Sequence, residues 1–143
     1  MDASKEMRIL VVDDHHSMRA IIRNSLFKLG YEHIVEAENG KVALAKLQTE
    51  KIDFVISDWS MPEMSGIDLL KTIRSNQKLQ SLPVLLVTAE ALTTNIVEAV
   101  KARVNGYIVK PFTEETLRLK IQDIFGKQSA PSKKSSPSRS PKK

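Results

Sequence analysis

The sequence contains no cysteine, which excludes disulfide bonds, thiolate metal sites and thiol catalysis. It also lacks any apolar run near the roughly 18 residues that a membrane-spanning helix needs. The N-terminal stretch carries Asp2 and Glu6 and only a short apolar run, so we expect neither a signal peptide nor membrane insertion. These absences favour a protein of the reducing cytoplasm.

Acidic residues are missing from one end of the chain, and this explains the formal charge of +5. Of the 22 lysines and arginines, six lie in residues 127–143, and the other 16 stand against all 17 acidic residues. The basic excess therefore belongs to this tail and says little about the ligands of the folded part.

Short apolar segments alternate with amphipathic ones about five times along the chain. The predicted strands are residues 8–12, 33–37, 54–57, 84–87 and 107–109, each followed by apolar residues at helical spacing. Strands that are apolar throughout are typical of parallel sheets buried on both faces. The order predicts an α/β protein in which a doubly wound, five-stranded parallel sheet carries five helices. Gly30 is expected to end the first helix and Thr113 to cap the fifth.

Polar and charged residues stand at the carboxyl ends of four of these strands. Asp13-Asp14 follow the first strand, Asp58 the third, Thr88 the fourth and Lys110 the fifth. Ligands of open α/β sheets bind outside the carboxyl ends of the strands, so these side chains are expected to meet at one edge. For each residue alone, a helix cap or a solvated charge is the commoner explanation. Their conjunction is what indicates a site.

Phosphoryl chemistry is the function that this set favours. Three crowded carboxylates repel one another unless a cation lies among them, and oxygen ligands predict Mg²⁺, or Mn²⁺ as a substitute. Lys110 is suited to pair with a phosphoryl oxygen, and Thr88 can donate a hydrogen bond to another. A carboxylate can itself become an aspartyl-phosphate, and Asp58 is the best candidate nucleophile.

Four segments resemble a response-regulator receiver domain: VVDD at 11–14, SDWSMPEMSG at 57–66, VTAE at 87–90 and GYIVKPF at 106–112. The resemblance covers about residues 6–126 and is strongest to single-domain chemotaxis regulators of the CheY type. It implies a flavodoxin-like fold with strand order 2-1-3-4-5.

The resemblance also implies roles for matching residues. Asp58 would accept a phosphoryl group from a histidine kinase. Asp14 and Asp58 would bind Mg²⁺ with the backbone carbonyl of Ser60, and Asp13 would act largely through metal-bound water. Lys110, joined to Pro111 by a cis peptide bond, would stabilise the developing charge.

A conformational switch follows from the same resemblance. Thr88 would move toward the phosphoryl group, and Tyr107 would fill the space that Thr88 leaves. The fourth helix, fifth strand and fifth helix would form the read-out face for a target, such as a flagellar motor switch protein. The chain would be a monomeric phosphoacceptor switch that catalyses its own phosphorylation and dephosphorylation, with a separate phosphatase as a further partner.

Several residues depart from the family pattern. Ser60 replaces an Asn and, with Glu90, is expected to tune hydrolysis of the phosphoryl group. Leu92 replaces a lysine that contacts the motor. Arg103-Val104 replaces a Gly-Ala, and since a left-handed Arg103 would cost about 1 kcal/mol, Asn105-Gly106 is expected to close the fourth helix instead.

The pair His15-His16 suggests a transition-metal ligand. Adjacent residues at the start of a helix point in different directions, however, and the other ligands are all oxygens. The sequence therefore assigns neither histidine to the site.

The domain is expected to end at Gly126, and residues 127–143 to form a disordered Ser/Pro/Lys tail without an output domain. Its Ser-Pro-basic units resemble minor-groove arms of chromatin proteins, which would add non-specific affinity for nucleic acid. A solvated tether is the reading that we favour.

Two other functions compete with a phosphorylation switch. A Mg²⁺-dependent phosphatase of the haloacid-dehalogenase type would use an aspartyl-phosphate. It would need two acids separated by one residue after the first strand, whereas Asp13 and Asp14 are adjacent. A scaffold independent of phosphorylation is the second alternative, and only the altered read-out face favours it.

Overall fold

Strands and helices alternate along the part of the chain that the structure describes, as the hydrophobic pattern predicts. The computed structural model describes residues 4–89 and 93–129. In chain order the elements are β1 Arg8–Val12, α1 His16–Lys28, β2 His33–Ala37, α2 Gly40–Thr49, β3 Phe54–Asp58, α3 Gly66–Ser75, β4 Val84–Thr88, α4 Thr93–Lys101, β5 Gly106–Val109 and α5 Glu114–Ser129. Strands β3, β4 and β5 each extend slightly beyond the predicted bounds.

The sheet is parallel, with strands in the order β2-β1-β3-β4-β5, and this confirms the expected flavodoxin-like topology. Successive side chains of a strand point to opposite faces. On one face Leu10 and Val55 pack with α2, α3 and α4, and on the other Ile9 and Phe54 pack with α1 and α5. Every residue of β3 and β4 is buried, so these strands meet solvent only at their ends.

The two helix boundaries expected from Gly30 and Thr113 are confirmed. Helix α1 ends at Lys28, and Gly30 has a φ of +102°, a left-handed value that glycine adopts without a steric penalty. The Thr113 hydroxyl accepts a hydrogen bond from the Thr116 backbone N–H at 3.1 Å, at the start of α5.

The expected closure of α4 by Asn105-Gly106 is wrong, because Arg103 itself adopts the left-handed conformation with a φ of 64°. The Val104 N–H donates to the Ala99 carbonyl at 3.0 Å, which completes a left-handed cap. The cost is offset by Arg74, whose Nε and Nη2 donate to the Arg103 carbonyl at 3.1 and 2.8 Å. The Asn105 side chain has another role, accepting from the Val84 N–H at 2.8 Å.

Some sequence expectations concern residues outside the described ranges. Glu90, Leu92 and residues 130–143 of the tail lie outside these ranges. Helix α5 runs to Ser129, past the boundary expected after Gly126. Within the described ranges, no helix combines the length and the apolar character that crossing a membrane requires.

Candidate functional site

The polar residues predicted at the strand ends do meet at one edge of the sheet. Asp58 and Thr88 are the last residues of neighbouring strands, where Asp58 pairs with Val87 and Thr88 with Val109. Asp13 follows β1, and β1 pairs with β3 on the side of β3 that faces away from β4. The edge therefore carries carboxylates toward β1 and a hydroxyl toward β5.

Four side chains at this edge offer ligand atoms that all lie within 4.8 Å of one another: Asp13, Asp14, His15 and Asp58. Asp13 is fully buried and Asp58 is 3% exposed. Within the described residues, Asp13 Oδ2 and Asp14 Oδ1 are buried without a hydrogen-bond partner. Buried carboxylate oxygens need a partner, and hard oxygen donors are those that Mg²⁺ prefers, so the donor set fits this ion.

Lys110 follows β5 and the acid pair follows β1, and these two strands lie on opposite sides of β3, which ends in Asp58. Its Nζ is 3.2 Å from Asp58 Oδ1, and its peptide bond to Pro111 is cis, as expected. One carboxylate thus contacts a cationic side chain while facing a cluster of acids. A group with negative oxygens bound at Asp58 would meet the ammonium directly.

Burial raises the pKa of the Asp58 carboxyl above its usual value, and the nearby Asp13 carboxylate raises it further. The hydrogen bond and charge of Lys110 act in the opposite direction without cancelling these effects. Without a bound cation, ionising Asp58 is therefore less favourable than ionising an exposed aspartate. A divalent cation among the acids would reverse this balance.

The loop after β3 shapes a cleft of about 300 Å³ above Asp58. The Trp59 N–H donates to the Val87 carbonyl at 2.8 Å, and the Gly66 N–H donates to the Trp59 carbonyl at 2.7 Å. The cleft walls include Trp59, Ser60, Thr88 and Asn95 beside the charged residues. Trp59 is the only tryptophan of the chain, so its fluorescence reports on this cleft alone.

Comparison with known proteins decides the family. The family described as "Response regulator receiver domain" matches residues 9–122. This chain belongs to the response-regulator receiver family. The chemotaxis protein CheY-3 of Vibrio cholerae is 52% identical over 122 residues, which are 85% of this chain and 94% of that protein. The chemotaxis protein CheY of Pseudomonas aeruginosa is 51% identical over 119 residues, with 83% and 96% covered.

Solved structures agree with this assignment. The CheY4 structure of Vibrio cholerae matches this receiver domain with a TM-score of 0.78 at 34% identity, covering 83% of this chain and 98% of that one. The receiver domain of a Pseudomonas aeruginosa sensor histidine kinase matches with a TM-score of 0.75 at 26% identity, covering 85% and 98%. That second structure has a magnesium ion coordinated in its active-site cleft.

The expected switch residues of this receiver domain lie on one face of neighbouring strands. Thr88 pairs with Val109, while Tyr107 pairs with Leu86, and the alternation of side chains puts Thr88 and Tyr107 on the same face. Thr88 is buried, and Tyr107 is partly buried. The geometry thus brings the two side chains to one region of the α4 side of the sheet.

Of two further residues at this receiver site, the sequence analysis did not identify Arg19 and left His15 unassigned. Arg19 of α1 donates from Nη1 to the Asp13 carbonyl at 2.6 Å and from Nε to Glu36 Oε1 at 3.0 Å, so it fixes the acid pair against β2. No sequence signal pointed to it, because a helical arginine is usually solvated. The other is His15, which turns toward Asp13 and Asp14, whereas His16 is not part of the ligand cluster.

We expect Asp58→Asn to stabilise the metal-free receiver domain by about 0.5–2 kcal/mol at pH 7, the usual range for a stabilising substitution. The folded-state pKa of Asp58 is raised, so the folded state binds more protons than the unfolded state between the two pKa values. Wild-type stability should therefore fall as pH rises through the folded-state pKa, and the variant should lack this loss.

Urea unfolding of both proteins in the presence of a chelator, at constant ionic strength, measures this difference in stability. A range from about pH 4 to about pH 8 covers the titration of a carboxyl whose pKa is raised. Adding Mg²⁺ should stabilise the wild type and not the variant. If stability depended on pH in the same way for the two proteins, the pKa of Asp58 would not be raised in the folded state.

Proposed function

We propose that this protein is a phosphoacceptor response regulator in which Asp58 receives a phosphoryl group from a phosphohistidine of a histidine kinase. The observation that supports this most is the position of Asp58 between Lys110 and the acidic cluster, at the floor of an open cleft. A nucleophilic carboxylate needs a cationic partner for the transferred oxygens and access for a donor. Asp58 has both.

In the proposed transfer, an oxygen of the Asp58 carboxylate forms a bond to phosphorus while the bond from phosphorus to the donor imidazole nitrogen breaks. The imidazole keeps the electron pair and takes a proton from solvent. Lys110 moves from the carboxylate oxygen to a phosphoryl oxygen, and Thr88 donates to another. Asp14, Asp58 and the Ser60 carbonyl would hold Mg²⁺, with Asp13 acting through metal-bound water. When bound, Mg²⁺ supplies charge neutralisation for the phosphoryl oxygens.

The proposed output is a change of the surface formed by α4, β5 and α5, through the paired movement of Thr88 and Tyr107. This surface already exposes apolar side chains, with Val97 at 47% and Val100 at 63% exposure. Relatives named chemotaxis proteins at 51–52% identity support a role in chemotaxis and a target such as a motor switch protein. We expect the protein to act as a monomer in the cytoplasm.

Lys110→Ala is expected to slow phosphorylation from a small acyl phosphate by about 100-fold or more, the usual effect of removing one donor to a developing oxyanion. Trp59 fluorescence after mixing with acyl phosphate and Mg²⁺ measures the rate. Lys28→Ala, at the far end of α1, is the matched control and should react like the wild type. Equal rates for Lys110→Ala and the wild type would contradict the proposed role of the ammonium.

A further inference from the structure

The acidic cluster of this receiver site contains one nitrogen donor, and that nitrogen belongs to His15. Its Nδ1 lies 3.2 Å from Asp13 Oδ1 and 3.2 Å from Asp14 Oδ1. Only the contact with Asp13 has hydrogen-bond geometry. The ring therefore sits over the pair of acids rather than pointing away from them.

The position of His15 in the fold leaves its ring available for this role. His15 is the residue before α1, with an extended backbone at φ −103° and ψ 116°, and its side chain makes no capping hydrogen bond to the helix. Its backbone N–H already binds Asp13 Oδ1 at 2.9 Å, which anchors the residue beside the acid. The side chain is 66% exposed, so the ring can exchange its contact without repacking the core.

Asp13 provides independent evidence that the cluster binds a ligand. Its side chain is fully buried, and while Oδ1 is occupied by His15, Oδ2 has no partner among the described residues. Donor atoms that share one ion lie about 3.0 Å apart in octahedral and about 3.4 Å apart in tetrahedral coordination, given metal–ligand bonds near 2.1 Å. The 3.2 Å between His15 Nδ1 and Asp14 Oδ1, the two proposed ligand atoms, falls between these values.

We propose that His15 makes this site selective for divalent ions that accept imidazole, such as Zn²⁺, Co²⁺ and Ni²⁺, which would then compete with Mg²⁺. Imidazole suits these later transition ions, whereas Mg²⁺ prefers carboxylates, carbonyls and water. His15 would bind through Nδ1 after its proton has left that nitrogen, while Asp14 and Asp58 would supply oxygens. The inference rests on the proposed function of the same site, because it assumes that the cluster binds a cation.

Calorimetric titration with Zn²⁺ and with Mg²⁺ tests the proposal on the full chain. Carboxylate sites generally bind Zn²⁺ more tightly than Mg²⁺, so the wild-type ratio alone decides nothing. His15→Phe, which keeps an aromatic ring without a donor, should weaken Zn²⁺ by about 10- to 100-fold and leave Mg²⁺ within about twofold. His16→Phe is the matched control and should change neither affinity.

A second readout identifies the ligand directly. The chain has three histidines, and ¹⁵N spectra of the imidazole rings should show that Zn²⁺ shifts His15 Nδ1 while His16 and His33 keep their positions. Equal Zn²⁺ affinity for wild type and His15→Phe, or a shift at His16 or His33 instead, would overturn the selectivity role. Absence of Mg²⁺ binding to the wild type would instead count against the proposed function itself.

Discussion

Gly66→Ala is expected to destabilise the protein by about 3 kcal/mol or more, among the largest effects of a single methyl group. An added Cβ would lie 2.3 Å from the Asp58 carbonyl oxygen and 3.0 Å from the Trp59 Cα. Both are backbone atoms, so no rotation of a side chain can relieve the contact. The end of β3 and the loop that follows it would have to move away from α3.

Urea unfolding of Gly66→Ala measures this effect, and Gly126→Ala is the matched control. No atom lies within 4 Å of the Cβ that the control would add in α5. Alanine there should stabilise the helix by about 0.5–1 kcal/mol, so the same substitution has opposite signs at the two sites. A loss below about 1 kcal/mol for Gly66→Ala would mean that the loop is not held against α3 as described.

Arg74→Met should cost about 2–4 kcal/mol, since the arginine joins α3 to two other segments through charged hydrogen bonds. Its guanidinium donates to the Leu82 carbonyl at 2.6 Å, to the Arg103 carbonyl at 2.8 Å and to Asn105 Oδ1 at 2.8 Å. Methionine keeps the length of the side chain and removes every donor. These acceptors lie beside β4 and at the end of α4, so their loss loosens the switch side of the sheet.

Denaturant unfolding checks this value, with Arg103→Gly as the control. The control keeps the carbonyl that Arg74 binds and removes the left-handed strain at Arg103, so it should be neutral or stabilising by up to about 1 kcal/mol. Arg74→Lys should behave more like the methionine variant, because one ammonium cannot reach all the acceptors of the planar fork. A stable methionine variant would leave the left-handed Arg103 without an explanation.

Most of the fold could be predicted from the sequence, since strands buried on both faces leave an apolar signal that is hard to mistake. The convergence of Asp13, Asp58, Thr88 and Lys110 followed from a rule of topology, because carboxyl ends of parallel strands share one edge. Strand order was different in kind. It came from the family resemblance, since apolar periodicity does not say which strands are neighbours.

The two misses, at Arg103 and at His15, had different causes. Arg103 was expected to avoid a left-handed conformation, because that conformation costs a non-glycine residue about 1 kcal/mol. Arg74, far away in sequence, supplies the hydrogen bonds that offset it. His15 and His16 were both left unassigned because adjacent side chains point in different directions. That is true of the two rings, but one of them, His15, faces the acids. Adjacency in sequence predicts that the two side chains point in different directions, but it does not say which of them faces the site.

Intact mass after incubation with Mg²⁺ and a small acyl phosphate tests the central claim most directly, on the wild type and on Asp58→Asn. We expect one labile phosphoryl group on the wild type and none on the variant, which should remain folded and stable. An adduct on both proteins would contradict the assignment of Asp58. So would a wild type that binds Mg²⁺ yet takes up neither a phosphoryl group nor beryllium fluoride, a stable mimic of one.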